Sequence, residues 1–240
     1  ILDGGAGNDW IFGGDGNDTA YGRVGDDIIF GGNDNDVLAG NESRDAILGG
    51  AGDDTAFGNA GADWIEGGSG NDIAYGADDN DIIFGGGGSD TLYGDAGNDY
   101  LLGDDGNDTL IGGTGADTID GGTGIDTVFY AASTAAINVN LTLTTAQSGG
   151  DAAGDILSNV ENITGSAFND TLKGDANNNV IVGLAGSDKI DGGAGNDTAS
   201  YIASAAGVNV NLTLTTAQSG GDAQGDILSN IENITGSAFN

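Results

Sequence analysis

One nine-residue pattern repeats without a gap from Gly4 to Phe129, and it limits the chain to repeat architectures more strictly than any other feature. The pattern is G-G-x-G-x-D-x-U-x, in which U is apolar, and "GGAGNDWIF" at 4–12 and "GGSGNDIAY" at 67–75 are good copies. Fourteen units fill this stretch, and every unit has glycine at position 1, aspartate at position 6 and an apolar residue at position 8. A phase kept this strictly indicates stacked structural units.

Composition indicates that such units do not fold unaided. The 240 residues include 49 glycines and carry a formal net charge of −34, with no proline, cysteine, methionine or histidine. Glycine increases the entropy that folding must overcome, and the uncompensated charge opposes compaction. A disordered acidic tail is the alternative, but 38% of the residues are apolar and they recur at a fixed spacing. The natural partners of this chain are therefore cations.

The same composition excludes several functional classes. An acidic chain lacks the basic surface that nucleic acids and anionic membranes require, and no apolar run is long enough for a membrane span. Without histidine or cysteine the chain has no zinc-type site and no activated nucleophile of the usual kinds, so we expect no enzyme activity. Oxygen is the only abundant type of metal ligand.

Each unit predicts a turn followed by a short strand. The glycines permit a tight turn, and the residues x-U-x form a three-residue strand that sends U to one face. Two units make a coil of 18 residues, and stacked coils make two parallel sheets with the U residues between them. Because "WIFGGDGNDTAYG" at 10–22 matches "WIEGGSGNDIAYG" at 64–76, we expect Trp10 and Trp64 to lie on the same sheet, three coils apart.

Stacked coils bring the position-6 aspartates of successive coils together, which is repulsive unless a cation lies between them. Carboxylates and outward-facing backbone carbonyls then form an all-oxygen cage, which suits Ca²⁺ better than the stricter octahedron of Mg²⁺. The candidate carboxylates are Asp9, Asp18, Asp27, Asp36, Asp45, Asp54, Asp63, Asp72, Asp81, Asp90, Asp99, Asp108, Asp117 and Asp126. The candidate carbonyls are those of loop glycines such as Gly5, Gly7, Gly14, Gly16, Gly50, Gly52, Gly68, Gly70, Gly113, Gly115, Gly122 and Gly124.

This pattern resembles the RTX (repeats-in-toxin, hemolysin-type) calcium-binding nonapeptides, over 4–129 and again over 165–200. The resemblance implies an all-β fold, a right-handed parallel β-roll or β-solenoid with calcium between stacked turn loops. It also implies an origin in bacteria of the Gram-negative type and type I secretion as an unfolded chain. The ligands that the family pattern implies are the position-6 aspartates and the loop carbonyls.

Some loops depart from the pattern, which predicts weaker calcium sites there: "GGNDND" at 31 and "GADDND" at 76 have aspartate at position 4, and a third such loop is "GNESRD". The loop "GNESRD" at 40–45 lacks two glycines, and its Arg44 lies one coil away from Arg23. A guanidinium near stacked carboxylates forms charge-assisted hydrogen bonds and repels a divalent ion. We expect the gap between Asp27 and Asp45 to be poorly occupied, with an arginine partly replacing the ion; the alternative is that both arginines face solvent.

A different segment interrupts the nonapeptides and is itself repeated. Residues 130–169 return at 201–240 with 34 of 40 residues identical, a period of 71. We therefore divide the chain into a nonapeptide roll at 1–129, a longer-coil insert at 130–164, a short roll at 165–200, and a second insert with the start of another roll at 201–240. Both ends cut a unit, which predicts that the chain is part of a longer tandem array.

The insert is expected to continue the solenoid. Apolar and polar residues alternate from Ile137 to Leu143, which predicts a half-buried strand, and thirty-five residues is close to two coils. Asp151 and Asp155 either bind an ion or cap an exposed loop. The short roll adds the candidate metal ligands Asp170, Asp188 and Asp197, with Asn179 as a weaker ligand in "GDANNN".

Aromatic residues favour position 9 and are expected on the outer faces of the sheets. They form either a stacked ladder or a contact surface for self-assembly or a surface partner. These residues are Phe12, Tyr21, Phe30, Phe57, Tyr75, Phe84, Tyr93 and Phe129.

These observations favour a secreted calcium-binding β-roll that folds on extracellular calcium. The parent that we expect is a large bacterial surface or extracellular structural protein, such as an adhesin, a surface layer or a fibre. The alternative is the calcium-binding carrier region of a type I secreted toxin or enzyme, such as a protease, lipase or epimerase. A solenoid that binds ice or polysaccharide is a third class, but the outward residues are too mixed for ice.

Calcium is expected to order the chain. Without calcium the charge of −34 keeps the chain largely unfolded, and calcium at about 10⁻⁴–10⁻³ M is expected to fold it cooperatively. Circular dichroism during a calcium titration measures this transition. A β-sheet spectrum that persists in excess chelator would contradict the prediction.

Overall fold

Nearly every ordered segment of this computed structural model, which describes residues 1–239, is a short strand. The chain divides into two units, Ile1–Asp126 and the residues from Thr127 onward, and Asn240, at the end of the second predicted insert, lies outside the described residues. The strands of the first unit are β1 (Leu2–Ala6), β2 (Trp10–Asp15), β3 (Thr19–Val24), β4 (Ile28–Asn33), β5 (Val37–Glu42), β6 (Ala46–Ala51), β7 (Thr55–Ala60), β8 (Trp64–Ser69), β9 (Ile73–Asp78), β10 (Ile82–Gly87), β11 (Thr91–Ala96), β12 (Tyr100–Gly106), β13 (Thr109–Thr114), β14 (Thr118–Asp120) and β15 (Thr123–Gly124). Those of the second unit are β16 (Thr127–Phe129), β17 (Asn138–Asn140), β18 (Ile156–Ser158), β19 (Asn162–Thr164), β20 (Thr171–Lys173), β21 (Val180–Val182), β22 (Lys189–Asp191), β23 (Thr198–Ser200), β24 (Ile227–Ser229) and β25 (Asn233–Thr235).

The first unit is a parallel β-solenoid. Strands β1, β3, β5, β7, β9, β11 and β13 form one sheet, and β2, β4, β6, β8, β10, β12 and β14 form the other, with β15 beside β12. Each residue pairs with the residue 18 positions later, as Ile11 does with Ile29, so the predicted coil length is confirmed. Trp10 and Trp64 begin β2 and β8 of the same sheet, which confirms their predicted spacing of three coils.

Most strands of the first unit are longer than the predicted three residues. Strand β2, for example, has six residues, Trp10–Asp15, and runs into the first three positions of the following unit. The ladder continues because glycines of successive coils lie opposite each other, as Gly14 and Gly32 do, with φ values of 101° and 122°. Backbone that the pattern assigns to a turn therefore belongs to the sheet.

The core of the first unit consists of the position-8 side chains, all of which are buried. The even-numbered strands contribute Ile11, Ile29, Ile47, Ile65, Ile83, Leu101 and Ile119, and the odd-numbered strands contribute Ala20, Leu38, Ala56, Ala74, Leu92 and Leu110. Burying a large aliphatic side chain stabilises a fold by about 1.5–3 kcal/mol. Because each coil buries at most two such side chains, and some coils bury one with an alanine, the coils depend strongly on interactions in their loops.

Aromatic side chains stack along the outer faces of both sheets. The rings of Phe12 and Phe30 are 4.9 Å apart and nearly parallel, and Phe57, Tyr75 and Tyr93 form a second row with spacings of 5.1 and 4.6 Å. The predicted ladder is therefore confirmed for these five residues, whereas Phe84 makes only tilted contacts, with Trp64 and Tyr100. A role of these faces in self-assembly stays a prediction.

The second unit accommodates each insert within one coil. Its sheets are β16–β19–β21–β23–β25 and β17–β20–β22–β24. Thr127 pairs with Asn162 and Thr198 pairs with Asn233, 35 residues later in both cases. The expectation that an insert forms two coils is wrong, because its extra residues leave the sheet as loops that contain the 3₁₀ turns Gly150–Ala152 and Gly221–Ala223. Among residues 1–239, no helix is long and apolar enough to cross a membrane.

Strand β17 is shorter than the predicted strand. Ile137 and Val139 are buried as expected, but the strand ends at Asn140, and Leu143 is 40% exposed. Asn140 Oδ1 accepts hydrogen bonds from the backbone N–H and the hydroxyl of Thr142, at 3.0 and 2.8 Å. This Asx turn redirects the chain away from the sheet.

The position-1 glycines are expected to tolerate no side chain. A Cβ on Gly67 would lie 2.5 Å from Asp72 Oδ2 and 2.7 Å from the carbonyl oxygen of Gly85. We expect Gly67→Ala to lower the stability of the calcium-loaded chain by about 1–3 kcal/mol, measured by thermal or denaturant unfolding. Gly87→Ala is the matched control because its Cβ would meet nothing within 4 Å. Equal stabilities of the two variants would contradict this account of position 1.

Candidate metal centre

The position-6 aspartates form a hydrogen-bonded ladder along each edge of the first unit. The backbone N–H of Asp27 donates to Asp45 Oδ1 at 2.7 Å, and the N–H of Asp63 donates to Asp81 Oδ1 at 2.8 Å. The same bond, always to the aspartate 18 residues later, begins at Asp9 and Asp18 and ends at Asp117 and Asp126. The stacking that the 18-residue coil predicts therefore uses one oxygen of each carboxylate.

The second carboxylate oxygen, Oδ2, is buried in most of these aspartates and accepts no hydrogen bond from any described residue. A buried charged atom without a partner is costly, so each such loop needs either a positive charge beside Oδ2 or a protonated, neutral carboxyl. The aspartates with such an oxygen include Asp9, Asp27, Asp36, Asp45, Asp54, Asp63, Asp72, Asp81, Asp90, Asp99, Asp108, Asp188 and Asp197.

Backbone carbonyl oxygens lie close to both oxygens of these carboxylates. The place that a Cβ of Gly94 would fill is 2.5 Å from Asp99 Oδ2 and 2.5 Å from the carbonyl oxygen of Gly112. The place that a Cβ of Gly97 would fill lies beside the carbonyl oxygen of Asp79 and 2.8 Å from Asp99 Oδ1. At each of these glycines, the absence of a side chain therefore lets a backbone carbonyl oxygen and a carboxylate oxygen of Asp99 approach the same point.

Several candidate carbonyls point along the stack toward the glycine at the same position of the next coil. In this set the carbonyl oxygen lies beside the place where the next glycine would carry a Cβ. The set comprises Gly7, Gly14, Gly50, Gly52, Gly68 and Gly70. Among the described residues, no three acidic side chains converge as a metal cluster, so an ion here would take most of its ligands from carbonyls. This all-oxygen donor set fits Ca²⁺, which when bound supplies the positive charge and accepts 6–8 oxygen ligands.

Burial raises the pKa of the stacked carboxyls. The pKa of Asp45, Asp72 and Asp81 rises to about 7, first because burial penalises the charged form and then because neighbouring aspartates repel it. Hydrogen bonds from backbone N–H groups oppose this shift. The pKa of Asp188 rises further, to about 8, for the same reasons. Without a cation, these carboxyls resist ionisation at neutral pH.

The irregular loop at 40–45 keeps the regular geometry. Asn41 and Ser43 adopt φ values of 85° and 81° in place of the missing glycines, and Asp45 remains buried in the ladder. The loop therefore holds its carboxylate as its neighbours do. The low calcium occupancy predicted for this gap stays a prediction.

The expectation that an arginine replaces the ion at this gap is wrong. Arg23 forms an exposed ion pair with Asp3 at 3.1 Å and lies over the ring of Tyr21, and the side chain of Arg44 is exposed. Among the described residues, neither guanidinium forms an ion pair with Asp27 or Asp45. The alternative of outward arginines is the observed arrangement.

Sequence reasoning missed a second ladder at position 5. The N–H of Ser89 donates to Asn71 Oδ1 at 2.8 Å, and the N–H of Asn98 donates to Asn80 Oδ1 at 2.7 Å. The signal for this ladder is the frequent Asn that precedes the position-6 aspartate, which the pattern treats as variable.

The predicted ligands of the second unit fall into two groups. Asp188 and Asp197 resemble the aspartates of the first unit, with one oxygen in the ladder and a buried, unpartnered Oδ2. Both oxygens of Asp170 accept hydrogen bonds from Ser166, and both amide atoms of Asn179 have partners in the chain.

The two acids of the first insert also differ from each other. Asp155 is fully buried and accepts a hydrogen bond from the hydroxyl of Tyr130 at 2.8 Å, so the expectation that it caps an exposed loop is wrong. Asp151 is half-buried, and its N–H donates to Ser133 Oγ at 3.1 Å. In the second insert, Asp226 accepts a hydrogen bond from Tyr201 in the same way.

Comparison with known families covers both nonapeptide stretches. The model of the RTX calcium-binding nonapeptide repeat, which spans four copies of the repeat, matches the chain seven times, and these matches together cover more than half of its 240 residues. Six matches overlap, at 3–38, 21–56, 39–74, 57–92, 75–110 and 93–128, and the seventh lies apart at 164–199. No curated protein matches the chain.

Removing one stacked carboxylate is expected to remove an ion. We expect Asp72→Asn to lower the calcium bound per chain by about one and to lower the thermal stability of the calcium-loaded chain, measured by equilibrium dialysis and differential scanning calorimetry. Asp78→Asn is the matched control because Asp78 is exposed and the change in net charge is the same. Identical calcium contents of the two variants would rule out Asp72 as a ligand.

The raised pKa values predict that acid partly replaces calcium. In the unfolded chain the aspartates ionise near pH 4, whereas those with a pKa of about 7 in the calcium-free roll stay protonated up to about that pH. The free energy of folding of the calcium-free roll therefore becomes less favourable as pH rises from about 4 to about 7, and the full penalty for burying these carboxylates is present above that range. In calcium-free buffer of constant ionic strength, we expect more β-structure by circular dichroism at about pH 5.5 than at about pH 7.5. An equal or lower β-content at the acidic pH would contradict the expectation.

Proposed function

The chain belongs to the family of RTX calcium-binding nonapeptide repeat proteins, and we propose that it is a calcium-folded, non-catalytic segment of a large bacterial surface or extracellular structural protein. The observation that carries the calcium dependence is the row of buried Oδ2 atoms without hydrogen-bond donors on both edges of the roll. Because these atoms recur in successive coils from Asp27 to Asp108, order in one of these coils depends on the same charge compensation as order in the next.

The calcium dependence of folding makes the state of the chain differ between the inside and the outside of the cell. At the low calcium concentration of a cytosol, ionised position-6 carboxylates disfavour the stacked state, and an unfolded chain suits type I export. Extracellular calcium modules bind their ions at about 10⁻⁴–10⁻³ M, so the roll orders after export. The position-1 glycines then let the carboxylates pack against the backbone, and the position-8 side chains close the core.

A structural role is supported by the repeated 71-residue period and by regular outer faces. The two copies of the insert are nearly identical, as in a tandem array that extends by duplication. Trp10 and Trp64 are 68% and 43% exposed on one sheet, which offers apolar surface for lateral contacts. The chain has no histidine or cysteine, in keeping with a segment that has no catalysis of its own.

Localisation of the parent protein distinguishes a structural role from a carrier role. Antibodies against this segment, used for immunogold microscopy of the producing bacterium and for blots of its culture medium, are expected to label the cell surface or attached fibres. Recovery of the antigen only from the medium, in a fraction with hydrolytic or cytolytic activity, would replace this proposal with the carrier function.

A further inference from the structure

The loops that are candidates for calcium binding differ in one backbone angle, the φ of the residue at position 2 of the nonapeptide unit. Among the described units with a buried, unpartnered Oδ2, position 2 has a positive φ, whether it is glycine as at Gly68 or another residue such as Arg23, Ala77 or Leu184. Two units differ: their position-2 residues are Ser166 in "GSAFND" and Asp175 in "GDANNN", and neither residue has a positive φ. These two units also have Phe168 or Asn177 where the pattern has its third glycine.

We infer that loops without this positive φ, together with the tyrosines of the inserts, use the chain's own hydrogen-bond donors in place of calcium, so that they stay ordered at calcium concentrations too low for the first unit. The inference goes beyond the proposed function, because it divides an RTX chain into calcium-dependent and calcium-independent coils.

The loop of Asp170 shows how a donor replaces the ion. The N–H of Ser166 donates to Asp170 Oδ2 at 2.6 Å, and the Ser166 hydroxyl donates to Asp170 Oδ1 at 2.7 Å. The N–H of Ile137 adds a third bond to Oδ1 at 2.9 Å. Three donors satisfy a buried carboxylate, so this loop has no orphaned oxygen for a cation to neutralise.

The loop of Asn179 reaches the same result with a neutral side chain. The N–H of Asp175 donates to Asn179 Oδ1 at 2.9 Å. Asn179 Nδ2 donates to the carbonyl oxygen of Glu161 at 2.6 Å and to Asp175 Oδ1 at 3.1 Å. Asn179 Nδ2 thus faces two oxygen atoms, the carbonyl oxygen of Glu161 and Asp175 Oδ1. An aspartate at this position would put a carboxylate oxygen there instead, and that oxygen would require a cation.

The inserts supply a third kind of donor. Asp226 takes a ladder position, because the N–H of Asp188 donates to Asp226 Oδ1 at 2.9 Å. Its Oδ2, however, accepts a hydrogen bond from the buried hydroxyl of Tyr201 at 2.9 Å. The first insert repeats this pairing with Tyr130 and Asp155.

These loops flank the two aspartates of the second unit that keep an unpartnered Oδ2. Along one column, Asp170 precedes Asp188 and Asp226 follows it. Along the other, Asn179 precedes Asp197, whose N–H donates to Glu232 Oε2 at 2.9 Å. Unlike the first unit, where orphaned carboxylates follow one another, the second unit has them singly between loops that need no ion.

Calcium content of reciprocal variants of the full chain tests the assignment. Equilibrium dialysis at saturating calcium, with atomic emission spectrometry, is expected to find about one ion fewer in Asp188→Asn and an unchanged number in Asp170→Asn. Asn179→Asp is expected to gain about one ion, because its new oxygen faces Glu161 and Asp175. An equal loss of calcium in Asp170→Asn and Asp188→Asn would overturn the inference, as would an unchanged count in Asn179→Asp.

Hydrogen exchange of the unaltered chain gives a test that does not depend on the folding of any variant. As free calcium is lowered, we expect amides of β20, between the loops of Asp170 and Asn179, to keep their protection to at least a several-fold lower calcium concentration than amides of β8. Simultaneous loss of protection in both strands would overturn the inference while leaving the calcium-dependent folding of the whole chain intact. Protection of both strands in excess chelator would instead contradict the proposed function.

Discussion

A buried carboxylate with only one of its two oxygens bonded inside the chain is the interaction on which this solenoid depends. From Asp27 onward in the first unit, Oδ1 of the position-6 aspartate accepts a hydrogen bond from a backbone N–H of the coil before, as Asp45 does from Asp27. Oδ2 packs against the position-1 glycine and faces carbonyl oxygens. The requirement for glycine at position 1 and the requirement for a cation both follow from this one placement.

The small core makes that interaction decisive. Two aliphatic side chains per coil exclude water between the sheets, but they do not offset stacked negative charges at both edges. A chain built in this way has a stability that follows the calcium concentration around it. Under the proposed function, the same feature keeps the exported chain open inside the cell and closes it outside.

On the assignment inferred above, the second unit does not need an ion at every loop. Ser166, Asn179 and Tyr201 place N–H or O–H donors where other loops leave a buried carboxylate oxygen without a hydrogen bond. Buried polar groups that are fully hydrogen-bonded stabilise a fold without outside help, whereas half-satisfied groups depend on a ligand. Tandem copies of such a module would alternate coils that respond to calcium with coils that do not.

The strict period of nine residues was enough to predict the parallel solenoid, the coil of 18 residues, the buried position 8 and the stacked aspartates, because a repeat of this length brings each unit directly over the unit two places later. Local composition was a poor guide to single loops. "GNESRD" lacks two glycines, yet Asn41 and Ser43 keep positive φ because the strand pairing on both sides holds the backbone there. "GSAFND" keeps its aspartate but bonds it to Ser166. The length of the insert suggested two coils, but the pairing of Thr127 with Asn162 shows that it forms one. The number of residues could not predict this, because it does not reveal which segments leave the sheet.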